Sequence, residues 1–254
     1  MTDERVGGWI LGDLVANGDF AEVRAASGGA VVKRLHAHAA RLPAMRELFE
    51  AEAELTCTLP SHPHVVRGLT ALLAGDRPGF AMTRVVGADL RARLGTALAS
   101  GEVRTIVAAA ARAAAHLHAH GWVHGDLGPA NLLVGPDAIV VCDLGVARRT
   151  DTAGPVRGTA AYMAPEQVRG EAWTGAVDVF ALGVLAWELS AGARLFHRGA
   201  RYLSMAAVVE DTAPPLADAA LASLVARALA KDPTARPGAA ELADALVCTT
   251  RSAP

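Results

Sequence analysis

Two kinds of hydrophobic spacing divide the chain. Over the first 35 residues, apolar positions are strand-like and punctuated by glycine. The runs WILGDLVANGDFAEVRAA and GGAVVKRL, joined through Gly28-Gly29, predict antiparallel strands. Residues 41–59 then change period. Leu48, Ala51, Leu55 and Leu59 recur at helical spacing with charges opposite, and Pro60 and His62-Pro63 stop the helix. Two further strands are predicted at Val65–Leu73 and Phe80–Val86, split by the turn signal Gly75-Asp76-Arg77-Pro78-Gly79.

After Gly87 the spacing is mainly helical, over 88–99, 102–120, 176–191, 216–230 and 238–247. Short strands are predicted at Leu132–Val134 and Ile139–Cys142, and a polar loop at Arg148–Gly158. The expected organisation is a β-rich lobe of about 85 residues followed by a larger helical lobe, an α+β arrangement. Residues Thr83–Gly87 are too few for a flexible linker. The lobes are therefore expected to touch, with the site in the cleft between them.

Composition narrows the function classes. The chain has 254 residues, 52% of them apolar and 20% charged, with a formal net charge of −2. That balance excludes an acidic disordered segment and a polybasic nucleic-acid binder. The longest apolar runs, Ile106–Ala111 and Val179–Trp187, fall far short of the roughly 18–20 residues that span a bilayer. No membrane segment is expected, and the N-terminus MTDERVGGW has no signal-peptide pattern. Cys57, Cys142 and Cys248 are far apart without CxxC spacing, which argues against a disulfide framework or zinc site and for the cytoplasm. The 24 basic residues are 22 arginines and only two lysines, Lys33 and Lys231. In so arginine-biased a chain, a surviving lysine marks a position where a guanidinium does not substitute.

The strongest chemical signal is an ordered set of acidic and amide residues. His124-Gly125-Asp126-Leu127-Gly128-Pro129-Ala130-Asn131 is followed, twelve residues after the asparagine, by Asp143-Leu144-Gly145. Both strings sit at the ends of predicted short strands, where loops present side chains. Two carboxylates and an amide oxygen are hard ligands, suited to Mg²⁺ carrying a nucleotide phosphate.

With these residues in view, the chain resembles the catalytic domain of bacterial, eukaryotic-like Ser/Thr protein kinases from about residue 9 to 247. Ala30-Val31-Val32-Lys33 stands where the family has its lysine strand. Gly158-Thr159-Ala160-Ala161-Tyr162-Met163-Ala164-Pro165-Glu166 matches the end of the activation segment. Asp178–Val184 matches the helix that buries an aspartate under the catalytic loop. Lys231–Pro237 matches the late segment whose arginine pairs with the glutamate of Ala-Pro-Glu, here Arg236 with Glu166.

The resemblance implies a bilobal kinase fold: one domain over 1–254, an N-lobe to about 84, a hinge at about 83–87 and a C-lobe over about 88–249. It implies ATP and Mg²⁺ as cofactors and a protein Ser/Thr hydroxyl as acceptor. Asp126 would orient or deprotonate that hydroxyl. Asn131 and Asp143 would bind Mg²⁺. Lys33, paired with Glu52, would hold the α- and β-phosphates. Gly18 and Val23 would cover the nucleotide, Met82 would back the adenine, and Thr83–Val85 would read it. Thr159 would shape the acceptor site. Many bacterial relatives continue into a transmembrane helix and a sensor domain; neither follows the final Arg251–Pro254 here. The resemblance therefore leaves open a stand-alone kinase or an excised domain.

The chain departs from the family in two places. Of the three loop glycines, at Ala16, Gly18 and Ala21, only the middle one is kept. In the catalytic loop, Gly125 replaces the family's arginine and Gly128 its lysine. Ala130 stands where tyrosine kinases carry an arginine. The loop therefore offers no cation to the γ-phosphate; the substitutes are Arg148, Arg149 or Arg157, in part, or a cation supplied in trans by a substrate or partner. These departures keep a pseudokinase in play as a nucleotide-binding interaction module. The string HGDLGPAN also resembles aminoglycoside and choline phosphotransferases, whereas GTAAYMAPE belongs to protein kinases. His116, His118 and His120 read as cations near a helix C-terminus and not as a metal site. Cys142 is expected to pack beside the nucleotide, and Thr150 and Thr152 lie in the presumed activation loop.

Overall fold

The computed structural model describes residues 4–248. The extreme residues at each end, including Thr249 of the expected C-lobe and the final Arg251–Pro254, lie outside the described residues. The chain divides into two compact units. One takes in the chain through Val86 together with Asp143–Gly145; the other holds Gly87–Cys142 and everything from Val146 onward.

The first unit is built on a six-stranded antiparallel sheet. Its strands are β1 (Arg5–Val6), β2 (Trp9–Asn17), β3 (Ala21–Ala26), β4 (Ala30–Leu35), β5 (Gly68–Leu72) and β6 (Gly79–Thr83), in the order β1-β2-β3-β4-β6-β5. The first long apolar run thus folds as two strands, turning at Gly18-Asp19-Phe20. Helices α1 (Ala37–Ala40) and α2 (Pro43–Thr58) follow β4. Pro43 opens α2, where its missing N–H costs nothing. Alternation along β4 sends Val32 to one face, with Leu11 and Ala81. It sends Leu35 to the other, with Ala39, Phe49, Ala53 and Phe80. Lys33 shares the Leu35 face, toward α2.

Two strand predictions were too long. Val65 and Val66 are buried but lie before β5. The last register pair of β6 is Ala30 with Thr83, so Arg84–Val86 have no strand partner; the Arg84 amide donates to the Gly29 carbonyl.

The second unit is helical. Its strands are short: β7 (Ala88–Asp89), β8 (Trp122–Val123), β9 (Leu132–Val134), β10 (Ile139–Val141) and β11 (Arg148–Arg149). They form a β10-β9-β7 sheet and a β11-β8 pair. Its helices are α3 (Ser100–Ala119), α4 (Pro165–Val168), α5 (Ala176–Ala191), α6 (Arg201–Glu210), α7 (Ala219–Ala228) and α8 (Ala239–Cys248). The core runs along α3 and α5. Ala108–Ala111, Ala113 and Ala114 bury a small-residue face, and α5 is buried from Val177 through Leu189. A helix apolar all round belongs in a core. Among the described residues, no helix is long and apolar enough to cross a membrane.

The expected helix over 88–99 is absent. Leu90, Leu94 and Leu98 keep helical spacing, but Asp89 caps only a 3₁₀ turn over Leu90–Arg93 by accepting the Arg91 amide. Gly95 then takes φ +89°, which no helix contains. Helix α6 was not anticipated. Only Ser204, Ala207 and Val208 are buried on it, too narrow a face to show as periodicity.

Arg236 ties the late segment to α4. Its Nη1 and Nη2 donate to the two Glu166 carboxylate oxygens at 2.5 and 2.9 Å. Its remaining donors reach the carbonyls of Ala230, Ala176 and Lys231. The side chains are 0% and 3% exposed. Removing one partner of such a pair strands the other charge, at a cost of about 3–5 kcal/mol. Arg236→Ala should therefore lower the melting temperature by about 10 °C or more. Arg112→Ala, at an exposed site on α3, should leave it within about 2 °C. Equal melting temperatures for the two variants would reject the pair as a stabilising element.

Candidate active site

The sequence-predicted site residues gather into two constellations, one in each unit. In the first, Lys33 on β4 meets Glu52 on α2 and Asp143. Lys33 Nζ lies 2.6 Å from Glu52 Oε1 and 3.0 Å from Asp143 Oδ1. Burial opposes the lysine's charge, but the two carboxylates outweigh it and push the Lys33 pKa up. Glu52 is 6% exposed. Its burial pushes it up to about 7 against the pull of Lys33, with Asp143 adding to the rise. Asp143 goes the other way. Desolvation would raise it, but Lys33 and hydrogen bonds from Glu52 and the Gly145 amide hold it at about 2. One lysine shared between two carboxylates thus leaves Asp143, the more exposed of the two, reliably ionised. Asp143 also sits at φ +64°, a left-handed backbone that few residues other than glycine adopt.

The other residues expected at the nucleotide are placed by the sheet. Val23 pairs in register with Lys33, so the two are neighbours across β3 and β4. Gly18 turns between β2 and β3, its amide donating to the Ala21 carbonyl. Met82 and Thr83 end β6, and the Thr83 amide donates to the Arg67 carbonyl. Val85 is half-buried beyond the last strand pair.

In the second unit, Asp126 is the centre. Its Oδ1 accepts the Thr159 amide at 2.7 Å. Asn131 Nδ2 donates to the Asp126 carbonyl at 2.8 Å and to Oδ2 at 3.2 Å. With its amide nitrogen so used, Asn131 keeps Oδ1 as an acceptor, the group a hard cation needs. The loop is tied down from beneath. Asp178 at the start of α5, 0% exposed, accepts the amides of His124 and Gly125 at 2.9 and 2.8 Å. Burial would push Asp178 up, but His118, the nearby His124 side chain and the Gly125 amide hold its carboxyl below the usual range. Gln167 Nε2 also donates to the Gly125 carbonyl.

Sequence reasoning missed His118 and Gln167. His118 Nε2 lies 2.8 Å from Asp178 Oδ2, which its place in HLHAH did not reveal. The His116 and His120 rings meet at a tilt, their centroids 4.5 Å apart, and among the described residues no group of three or more His, Cys, Asp or Glu is clustered to hold a metal ion. Two arginines expected as substitute cations are committed elsewhere. Arg148 stacks on Trp173 and Arg149 on Trp122. The two glycines of the catalytic loop also differ. At Gly128 the backbone is extended (φ −170°), and an added Cβ would only touch the Tyr162 ring at 3.6 Å. At Gly125, φ is +75°, and a Cβ would fall 2.2 Å from the Trp173 ring. Position 128 tolerates a Cβ and position 125 does not.

Comparison with known proteins agrees with this geometry. The family model for the protein kinase domain matches residues 12–246. The serine/threonine-protein kinase Pkn1 of Myxococcus xanthus is 35% identical over 222 residues, covering 81% of this chain and 32% of Pkn1. PkaA of Streptomyces coelicolor is 34% identical over 215 residues, covering 80% of this chain and 39% of its own. PknB of Mycobacterium leprae is 34% identical over 252 residues, covering 89% of this chain and 40% of its own. The chain thus spans about a third to two-fifths of the length of these curated relatives. With an ordered Asp126–Asn131 loop, a Lys33–Glu52 pair and a family match over nearly all described residues, the chain belongs to the protein kinase domain family.

Proposed function

We propose that this chain is one kinase domain that transfers the γ-phosphoryl group of ATP, with Mg²⁺, to a Ser or Thr hydroxyl of a protein in the cytoplasm, with the hinge at about 83–87. The observation that carries this reading is the fixed orientation of Asp126, held on one carboxylate oxygen by the Thr159 amide and on the other by Asn131. Phosphoryl transfer asks a protein mainly for positioning and charge neutralisation, and this arrangement supplies positioning.

Asp126 receives the acceptor's proton as the hydroxyl oxygen forms its bond to phosphorus and the bond to the β–γ bridging oxygen breaks. No phosphoenzyme is formed. Lys33, kept charged by Glu52 and Asp143, holds the α- and β-phosphates. Gly18 and Val23 cover the nucleotide, and Met82, Thr83 and Val85 contact the adenine. The donors suit the metal: Asp143 is an ionised carboxylate and Asn131 keeps a free amide oxygen. Mg²⁺, when bound, neutralises the phosphate oxygens. Thr159 borders the acceptor. Gly128 leaves the loop one γ-phosphate donor short, and losing a preorganised donor costs about 10²–10³ in rate. The reading is therefore of a slow kinase.

Three variants test it. Asp143→Asn, at a half-exposed site, should lose about a hundredfold or more of Mg²⁺-dependent transfer with its melting temperature nearly unchanged. Full retention of transfer would move the metal role elsewhere. Lys33→Met should abolish transfer. It also leaves Glu52 without its partner, so circular dichroism must first show a folded protein. A folded, fully active Lys33→Met would end the assignment. Gly128→Lys should raise turnover at saturating ATP and Mg²⁺, since the site accepts a side chain. A fast wild type with no gain in the variant would place the missing cation elsewhere. ATP binding without transfer by either protein would favour a nucleotide-binding module.

A further inference from the structure

The catalytic loop is braced by a stack of four groups. Trp173, 0% exposed, fills the space beside Gly125, where a Cβ would meet its ring at 2.2 Å. On this ring lies the Arg148 guanidinium, its Cζ 3.3 Å from the ring centroid. Behind the guanidinium comes the backbone of Gly154-Pro155. A Cβ on Gly154 would fall 2.8 Å from Arg148 Nη1, and Arg148 Nη2 donates to the Pro155 carbonyl at 3.0 Å. Glycine thus stands at both ends of the stack, at the two points of closest approach.

The backbone follows the same path. The Trp173 amide donates to the Thr152 carbonyl at 3.1 Å, and the Asp151 amide to the Trp173 carbonyl at 2.7 Å. One turn earlier in the stack's scaffold, β11 pairs with β8, the strand that leads into the catalytic loop, and Arg149 lies over Trp122. Among the described residues, neither Arg148 nor Arg149 pairs with a carboxylate. Trp173 Nε1 and Arg148 Nη1 are buried donors without an acceptor among those residues.

We propose that Trp173 and Arg148 are positioning residues for Asp126: their stack holds the segment 148–159 on the catalytic loop, and does so through permanent groups. The inference rests on the kinase reading for its effect on rate, but not for its effect on the segment. Held this way, the segment brings Thr159 to Asp126 without any charge being added at Thr150 or Thr152. Thr152 already spends its hydroxyl on the Arg149 carbonyl. The planarity of the guanidinium matters more than its charge, because a lysine ammonium cannot lie flat on an indole.

The experiment compares Arg148→Lys, Arg148→Leu, Trp173→Phe and the double variant Thr150→Ala, Thr152→Ala in the full chain. The readouts are kcat, KM for ATP, and amide hydrogen exchange over 148–159. Both Arg148 variants should lower kcat by about tenfold, the loss of one desolvated cation–π contact, with KM for ATP within about twofold. Both should speed exchange across 148–159. Trp173→Phe keeps only a smaller ring under the guanidinium and should lower kcat by about threefold and speed exchange over 148–159, less than the Arg148 variants do, whereas the threonine double variant should match wild type. Arg148→Lys with wild-type kcat and wild-type exchange would overturn the proposal, as would collapse of activity in the threonine double variant. Faster exchange in the Arg148 variants of a chain that transfers no phosphate would uphold the brace and overturn the kinase reading.

Discussion

A buried carboxylate organises the helical unit. Asp178 is fully enclosed at the start of α5, and a charge there is tolerable only if every lone pair finds a donor. The donors come from the catalytic loop and from α3: the amides of His124 and Gly125, and the His118 imidazole. The requirement works in both directions. Asp178 needs the loop in order to be buried, and the loop acquires a single conformation because Asp178 must be satisfied. The positive φ of Gly125 is part of that conformation, and from it follow the direction of Asp126 and its bonds to Thr159 and Asn131.

The Arg236–Glu166 pair serves the same end at the other side of the segment. Glu166 lies in the first turn of α4, seven residues after Thr159, and Arg236 holds it with both terminal nitrogens. Since all five guanidinium donors are used, the pair fixes position at little residual cost. In the sheet unit the charges are unequal in number, with one lysine between two carboxylates. Burial pushes the proton affinity of Glu52 up, and Asp143 is left as the ionised oxygen donor.

Gly125 and Gly128 look alike in sequence and differ in physical meaning. Gly125 is glycine because its backbone is left-handed and Trp173 occupies the side-chain space. Gly128 has neither constraint: its backbone is extended and a Cβ would meet Tyr162 only at ordinary contact distance. Trp173 connects the first of these to the segment that follows β11, where Arg148 completes the stack.

Much of this was legible in the residues. Alternation placed β3, β4 and β6, and helical spacing placed α2, α3, α5, α7 and α8 to within a few residues, because each buries a broad apolar face. The ordered acidic and amide residues and Lys33, one of only two lysines, marked the candidate site, since few roles demand those groups in that sequence. The interactions that fix the site were not legible. Leu90, Leu94 and Leu98 carry a helical period, yet Gly95 turns the chain left-handed, a choice made by what surrounds it. His118 looked like a helix-end cation, and only the packing of α3 against α5 brings it to Asp178. Trp173 lies 48 residues beyond Gly125 in the chain and carries no local pattern. Residue types and spacing determine which chemistry a chain has at its disposal. Which buried charge is satisfied, and which ring fills the space beside a glycine, depends on contacts between segments far apart in sequence, and these exist only once the chain has folded.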